Sequence, residues 1–195
     1  MVLVVIDGLD GSGKSTQAHI LCNYLRNQGK TVFLRIHPSD DNLFGVKAKQ
    51  YLYLRGKTAH LSAAIFYMFD VFYSILLYSK RKYDYLVIVR YFMGTAYLPP
   101  PIHRIAYHFF ASILPKSDMM FFLDVNPREA YRRIQIARRR LEMFESLEEL
   151  ERTRHKALTL ALEGKWIIMA ANRPPRDIAN EVEDTITRRN STHHF

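Results

Sequence analysis

Gly8-Leu9-Asp10-Gly11-Ser12-Gly13-Lys14-Ser15-Thr16 follows directly on Met1-Val2-Leu3-Val4-Val5-Ile6-Asp7. The opening run is continuously apolar and rich in β-branched residues, the pattern of a strand buried on both faces of a parallel sheet. The stretch after it fits G-x-x-x-x-G-K-[ST] without exception. Gly8, Gly11 and Gly13 free the backbone so that successive N–H groups, those of Ser12 and Lys14 among them, can turn inward around phosphate oxygens. Lys14 is then placed to reach the β- and γ-phosphates, and Ser15 to offer its hydroxyl to Mg²⁺. The helix that opens near Lys14 and runs on through Thr16 points its positive dipole end at the anion. Together these residues predict a site for a nucleoside triphosphate, Mg·ATP in the first instance.

The 195 residues suit one α/β domain with a substantial core, and residues 1–195 are read as a single unit. No stretch approaches the ~20 apolar residues of a membrane span, and the first segment reads as a strand rather than as a charged lead into a signal sequence. A cytoplasmic protein is therefore expected. Cys22 lies between apolar neighbours on the first helix and, as the chain's one cysteine, is read as a packed thiol. The net charge of +9 suits a protein that handles phosphates and would equally suit one bound to nucleic acid.

Four further apolar runs read as buried strands: residues 31–36, 85–89, 119–125 and 166–170. Helical patterns lie between them, so the fold class is α/β, a doubly wound five-stranded parallel sheet with helices on both faces. Its ligand crevice is expected beyond the carboxyl ends of the strands. The segment Leu61 to Ser79 is apolar and aromatic on nearly all sides, a buried helix or one packed against a second subunit. Pro99-Pro100-Pro101 is a stiff, non-helical spacer, and the tail from Arg188 to Phe195 reads as frayed.

The stretch Ile6 to Thr16 resembles the thymidylate kinase family, whose phosphate loop carries an acid where Asp10 stands. The resemblance implies that Asp10 contacts the sugar hydroxyl of a nucleoside monophosphate acceptor. It continues at Val89-Arg90-Tyr91-Phe92-Met93-Gly94-Thr95-Ala96-Tyr97, similar to the family's Asp-Arg-Tyr/His followed by Ser and Ala-Tyr. Arg90, at a strand end, can grip phosphate oxygens through two parallel N–H bonds. Tyr97 would line the sugar. The family's Asp is Val89 here and its Ser is Gly94, and the segment is one residue shorter. The family's Arg-Glu-Pro is replaced by Arg35-Ile36-His37-Pro38, which leaves Arg35 as a further candidate for the acceptor phosphate. The base-stacking motif Phe-x-x-Asp-Arg reads as Phe66-Tyr67-Met68-Phe69-Asp70-Val71. Either Phe66 or Tyr67 could stack on a base, and in both registers the base-reading arginine is absent.

In the carboxyl half, Phe122 to Ala130 is similar to the family's fourth-strand signature, and residues 132–146 resemble its arginine-rich lid. The phosphate loop itself has no basic residue among Leu9, Asp10, Gly11 and Ser12, so the resemblance assigns the catalytic arginines to the lid, with Arg138, Arg139 and Arg140 as candidates. Cations that close on the moving phosphoryl group carry much of the catalysis in phosphoryl transfer. Arg173, after the last strand, would stack over adenine. The implied reaction is transfer of the γ-phosphoryl of ATP to dTMP, giving dTDP, with Mg²⁺ as cofactor and a homodimer as the expected assembly. Another pyrimidine nucleotide or nucleoside as acceptor, and a nucleotide-binding protein with little transfer activity, stand as alternatives. Neither a membrane nor a nucleic acid is expected as partner.

Overall fold

The computed structural model of the chain describes residues 1–54, 57–78, 80–137 and 146–192. Each apolar run forms a strand: β1 (Val2–Gly8), β2 (Val32–Ile36), β3 (Tyr85–Val89), β4 (Met119–Asp124) and β5 (Ile167–Ala170). They form one parallel sheet in the order β2-β3-β1-β4-β5. The helices are α1 (Lys14–Asn27), α2 (Leu43–Leu52), α3 (Lys57–Tyr78), α4 (Ile102–Ile113), α5 (Pro127–Ala137), α6 (Leu147–Glu163) and α7 (Pro175–Thr192), with a short 3-10 helix at Met93–Tyr97. The doubly wound α/β architecture expected from the sequence is the one observed.

Strand alternation divides the core. Val4 and Ile6 of β1 face α1 and α7, packing with Leu21, Leu25, Ile178 and Val182. Leu3 and Val5 face the other way, toward Met68 and Val71 of α3 and Leu160 of α6. Both faces of β1 are thus covered, as its unbroken apolar run requires. Because β1 pairs with β3 on one side and β4 on the other, its carboxyl end is the point where the strand order reverses. The phosphate-loop sequence leaves the sheet there.

Local signals set the helix ends. Asn42 caps α2 by accepting from Gly45 N at 3.0 Å, and Ser146 caps α6 by accepting from Glu149 N at 3.2 Å. Pro127 and Pro175 occupy first helical positions, where a missing N–H costs nothing. Cys22 is sealed within the α1 face of the core, and burial pushes its thiol up to about 11.

One expectation changes. The window Leu61–Tyr78 of α3 does have the length and apolar composition of a membrane span. Its Met68, Val71, Ile75 and Tyr78 nevertheless lie in the protein core, and Asp70 and Ser74 on the same helix are buried in polar contacts, so α3 is built into the sheet layer. Its opposite face exposes Leu61, Ile65, Phe69 and Leu76. In the tail read as frayed, α7 is helical as far as Thr192, with Ile186 buried and Tyr24 hydrogen-bonded to Thr187 at 3.1 Å just before Arg188; residues 193–195 lie outside the described residues.

Candidate active site

The turn from β1 into α1 wraps the space beyond the sheet. Gly11 has φ +77°, and a Cβ there would lie 2.5 Å from the carbonyl oxygen of Ala130, so the loop closes against α5 only with glycine at this place. Ser12 is 1 % exposed, and its hydroxyl oxygen has no hydrogen-bond partner in the structure. A buried, unsatisfied hydroxyl beside a helix amino terminus suits an incoming anion. Ser15 and Thr16 stand on the first turn of α1, half-buried and exposed.

Asp10 is the meeting point of the predicted site. Its carboxylate accepts from Lys14 Nζ at 3.1 Å, from Arg90 Nη2, and from the Tyr97 hydroxyl at 3.2 Å. Lys14 also donates to Leu9 O at 2.8 Å. Burial opposes the charge on Asp10, but the cations Arg90 and Lys14 outweigh it and hold the carboxyl well below the usual range. Lys14 is pulled down by burial and by Arg90, with Asp10 and Asp7 opposing. Asp7 goes the other way: burial pushes it up although Lys14 and the N–H donors of Gly8 and Tyr91 favour its charge. Arg90 itself has φ +61°, a left-handed backbone that a non-glycine residue holds only where its surroundings enforce it.

Arg35 does not join this group. It lies on the α3 side of β2, buried, with two parallel bonds of 2.6 and 2.8 Å to Asp41 and a third of 2.8 Å to Ser74 Oγ. Next to it is a network that the sequence did not announce. Asp70 accepts from His37 Nδ1 at 2.9 Å, Ser39 N at 2.7 Å, Ser39 Oγ at 2.6 Å and Asn42 Nδ2 at 2.7 Å. Burial depresses His37, while the hydrogen bond and charge of Asp70 oppose that shift. The peptide joining His37 to Pro38 is cis, and the His37 carbonyl accepts from Arg90.

A cleft opens beside Asp10, lined by Arg90, Tyr97, Tyr67, Gly94 and apolar residues such as Ala63 and Leu98. The two aromatic candidates on α3 have different surroundings. Tyr67 lines the cleft, whereas Phe66 stacks on Tyr51 with ring centroids 5.5 Å apart. Counted from Tyr67, the motif's Asp is Asp70, and its arginine position is Val71, fully buried in the core.

On the far side of the phosphate loop, Asn126, Arg128, Arg133 and Asn172 line a polar hollow. Arg133 reaches across it, donating to Gly11 O at 3.4 Å and Ala171 O at 3.2 Å while Glu129 holds its Nε at 2.7 Å. Sequence reading passed over Arg133 as one of a charged run. Arg173 is tied to Ala170 O at 3.0 Å and to Glu181 rather than lining the hollow. Of the lid expected at 132–146, residues 132–137 are the end of α5; Arg138, Arg139 and Arg140 lie outside the described residues.

Comparison with known proteins gives a consistent result. The family model described as thymidylate kinase matches residues 6–182. A probable thymidylate kinase of Pyrobaculum calidifontis is 34% identical over 197 residues, covering 96% of each chain. The thymidylate kinase of Plasmodium falciparum is 29% identical, covering 95% of this chain and 89% of its own. In fold, a thymidylate kinase structure from Candida albicans superposes with a TM-score of 0.79 at 19% identity, covering 99% of this chain and 93% of that one. A match of this extent, from the phosphate loop into the last helix, shows that the chain belongs to the thymidylate kinase family.

Proposed function

We propose that the cluster around Asp10 is where donor and acceptor nucleotides meet. The chain is an ATP-dependent phosphotransferase that converts dTMP to dTDP, as its family membership indicates. The observation that carries the site assignment is the convergence of Lys14, Arg90 and Tyr97 on one carboxylate. Lys14 serves the donor phosphates. Arg90 and Asp10 place the acceptor phosphate and sugar, and Tyr67 gives the base a flat wall. The acceptor phosphate is already an anion, so the protein's work is positioning and charge stabilisation.

The donor set fits Mg²⁺ carried on the nucleotide. Among the described residues no group of three or more His, Cys, Asp or Glu side chains could hold a metal, and Mg²⁺ is commonly bound by few protein ligands, substrate phosphates and water. Ser15 would offer its hydroxyl, and the ion when bound would neutralise phosphate charge. The exposed apolar face of α3, continued by Ile105 and Phe109 of α4, supports a homodimer.

ADP release with Mg·ATP and each of dTMP, dUMP, dCMP, UMP, CMP, AMP and GMP tests the assignment, with Lys14→Ala as the blank. Highest turnover with dTMP is expected. ATP binding without turnover of any acceptor would overturn it.

A further inference from the structure

The two cleft residues Gly94 and Tyr67 come from different elements, the 3-10 helix after β3 and the middle of α3. They are fitted to one another. A Cβ on Gly94 would lie 2.7 Å from Tyr67 Cε1, 3.0 Å from Cζ and 3.3 Å from the hydroxyl oxygen. The first of these is a hard overlap, so either the ring or the backbone would have to move. The ring is not free to swing away. Its hydroxyl donates to Tyr91 O at 3.0 Å, and its ring makes a T-shaped contact with the buried His37 ring, 6.3 Å between centroids at 74°. Tyr67 therefore stands in the space that a side chain at 94 would fill. Two departures that look separate in the sequence, a small residue after β3 and a hydroxylated ring on α3, belong to one fit.

We infer that Gly94 and Tyr67 act as a single unit that sets the room left for the acceptor's base, which makes Gly94 a specificity-determining position. This rests on the reading of the cleft as the acceptor site. The pinned ring fixes one boundary of the cleft, and the ligand class we assign to it is a nucleoside monophosphate with a single-ring base. Any side chain at 94 displaces Tyr67 either into the cleft or off Tyr91, and in both cases the base loses its wall. The donor end, across Asp10, is untouched.

The test is equilibrium binding of dTMP and, separately, of Mg·ATP to the whole chain, wild type and variants. Gly94→Ala is expected to weaken dTMP about tenfold or more, the usual range of an overpacked contact, with Mg·ATP affinity unchanged. Removing the ring should remove the penalty, so Tyr67→Leu and Tyr67→Leu/Gly94→Ala are expected to bind dTMP equally. That pair also decides the matter if Gly94→Ala alone fails to fold. Unchanged dTMP affinity in Gly94→Ala, or a further tenfold loss on adding Gly94→Ala to Tyr67→Leu, overturns the inference. Wild-type protein that binds Mg·ATP but no dTMP overturns the acceptor-site reading itself, and the inference with it.

Discussion

Arg90 Nη1 donates to the main-chain carbonyl of His37 at 3.2 Å, so the guanidinium that reaches Asp10 is also anchored to the loop after β2. A fork with one prong on a fixed carbonyl is aimed before any ligand arrives. In Arg90→Lys the charge survives and the second prong is lost. Since a hydrogen bond to a charged group is worth about 1.5–3 kcal/mol, kcat/KM for dTMP is expected to fall by about 10- to 100-fold. The KM for ATP should hold, as steady-state kinetics with each substrate varied in turn will show.

Asp70 governs stability in acid. Burial raises its carboxyl, but His37 first, then Asn42 and Ser39, donate to it and bring it well below the ordinary carboxylate value. The unfolded chain thus takes up the proton first as pH falls. This contribution to stability is complete above about pH 5 and is lost as pH drops through the ordinary carboxylate range toward the folded value. Urea midpoints measured from pH 7 to pH 3 should fall in the wild type and fall less in Asp70→Asn. At pH 7 the variant should be about 3 kcal/mol less stable, because its amide leaves buried donors unpaired.

Arg133 couples the phosphate loop to the segment after β5 through Gly11 O and Ala171 O. Arg133→Met keeps most of the bulk and removes both ties. Two neutral-acceptor bonds of modest length suggest a rise in KM for ATP of about 5- to 30-fold. Isothermal titration with ATP and with dTMP, the latter expected unchanged, will locate the effect.

The lid arginines can be examined together. Arg138→Ala, Arg139→Ala and Arg140→Ala combined are expected to lower kcat by ~10³ or more if they serve as the cations around the transferred group. An unaltered kcat in single-turnover measurements would remove them from the mechanism.

Where sequence reading succeeded, the signals were local. Residues 8–16 are contiguous, and each strand declares itself by an apolar run a few residues long, so pattern alone places the phosphate loop at the sheet's reversal point. For Arg35 the motif fixes a position along β2 but not a side. Strand parity puts it with Phe33 toward α3, where Asp41 and Ser74 claim it. Phe66 and Tyr67 differ by one step, about 100° around a helix, and only the packing of α3 tells which ring meets the cleft. The bond between His37 and Asp70 spans 33 residues, a separation that no periodicity encodes.

Cys22 gives the molecule a built-in reporter. It is the chain's one sulfhydryl, shielded beneath α1 and with its thiol pushed up to about 11, so almost none is ionised at neutral pH. An alkylating reagent can reach it only when α1 lifts from the sheet. Each molecule therefore records its own openings as an irreversible chemical mark, and the labelling rate with and without bound nucleotide reads how far ligands quiet the helix that carries Lys14.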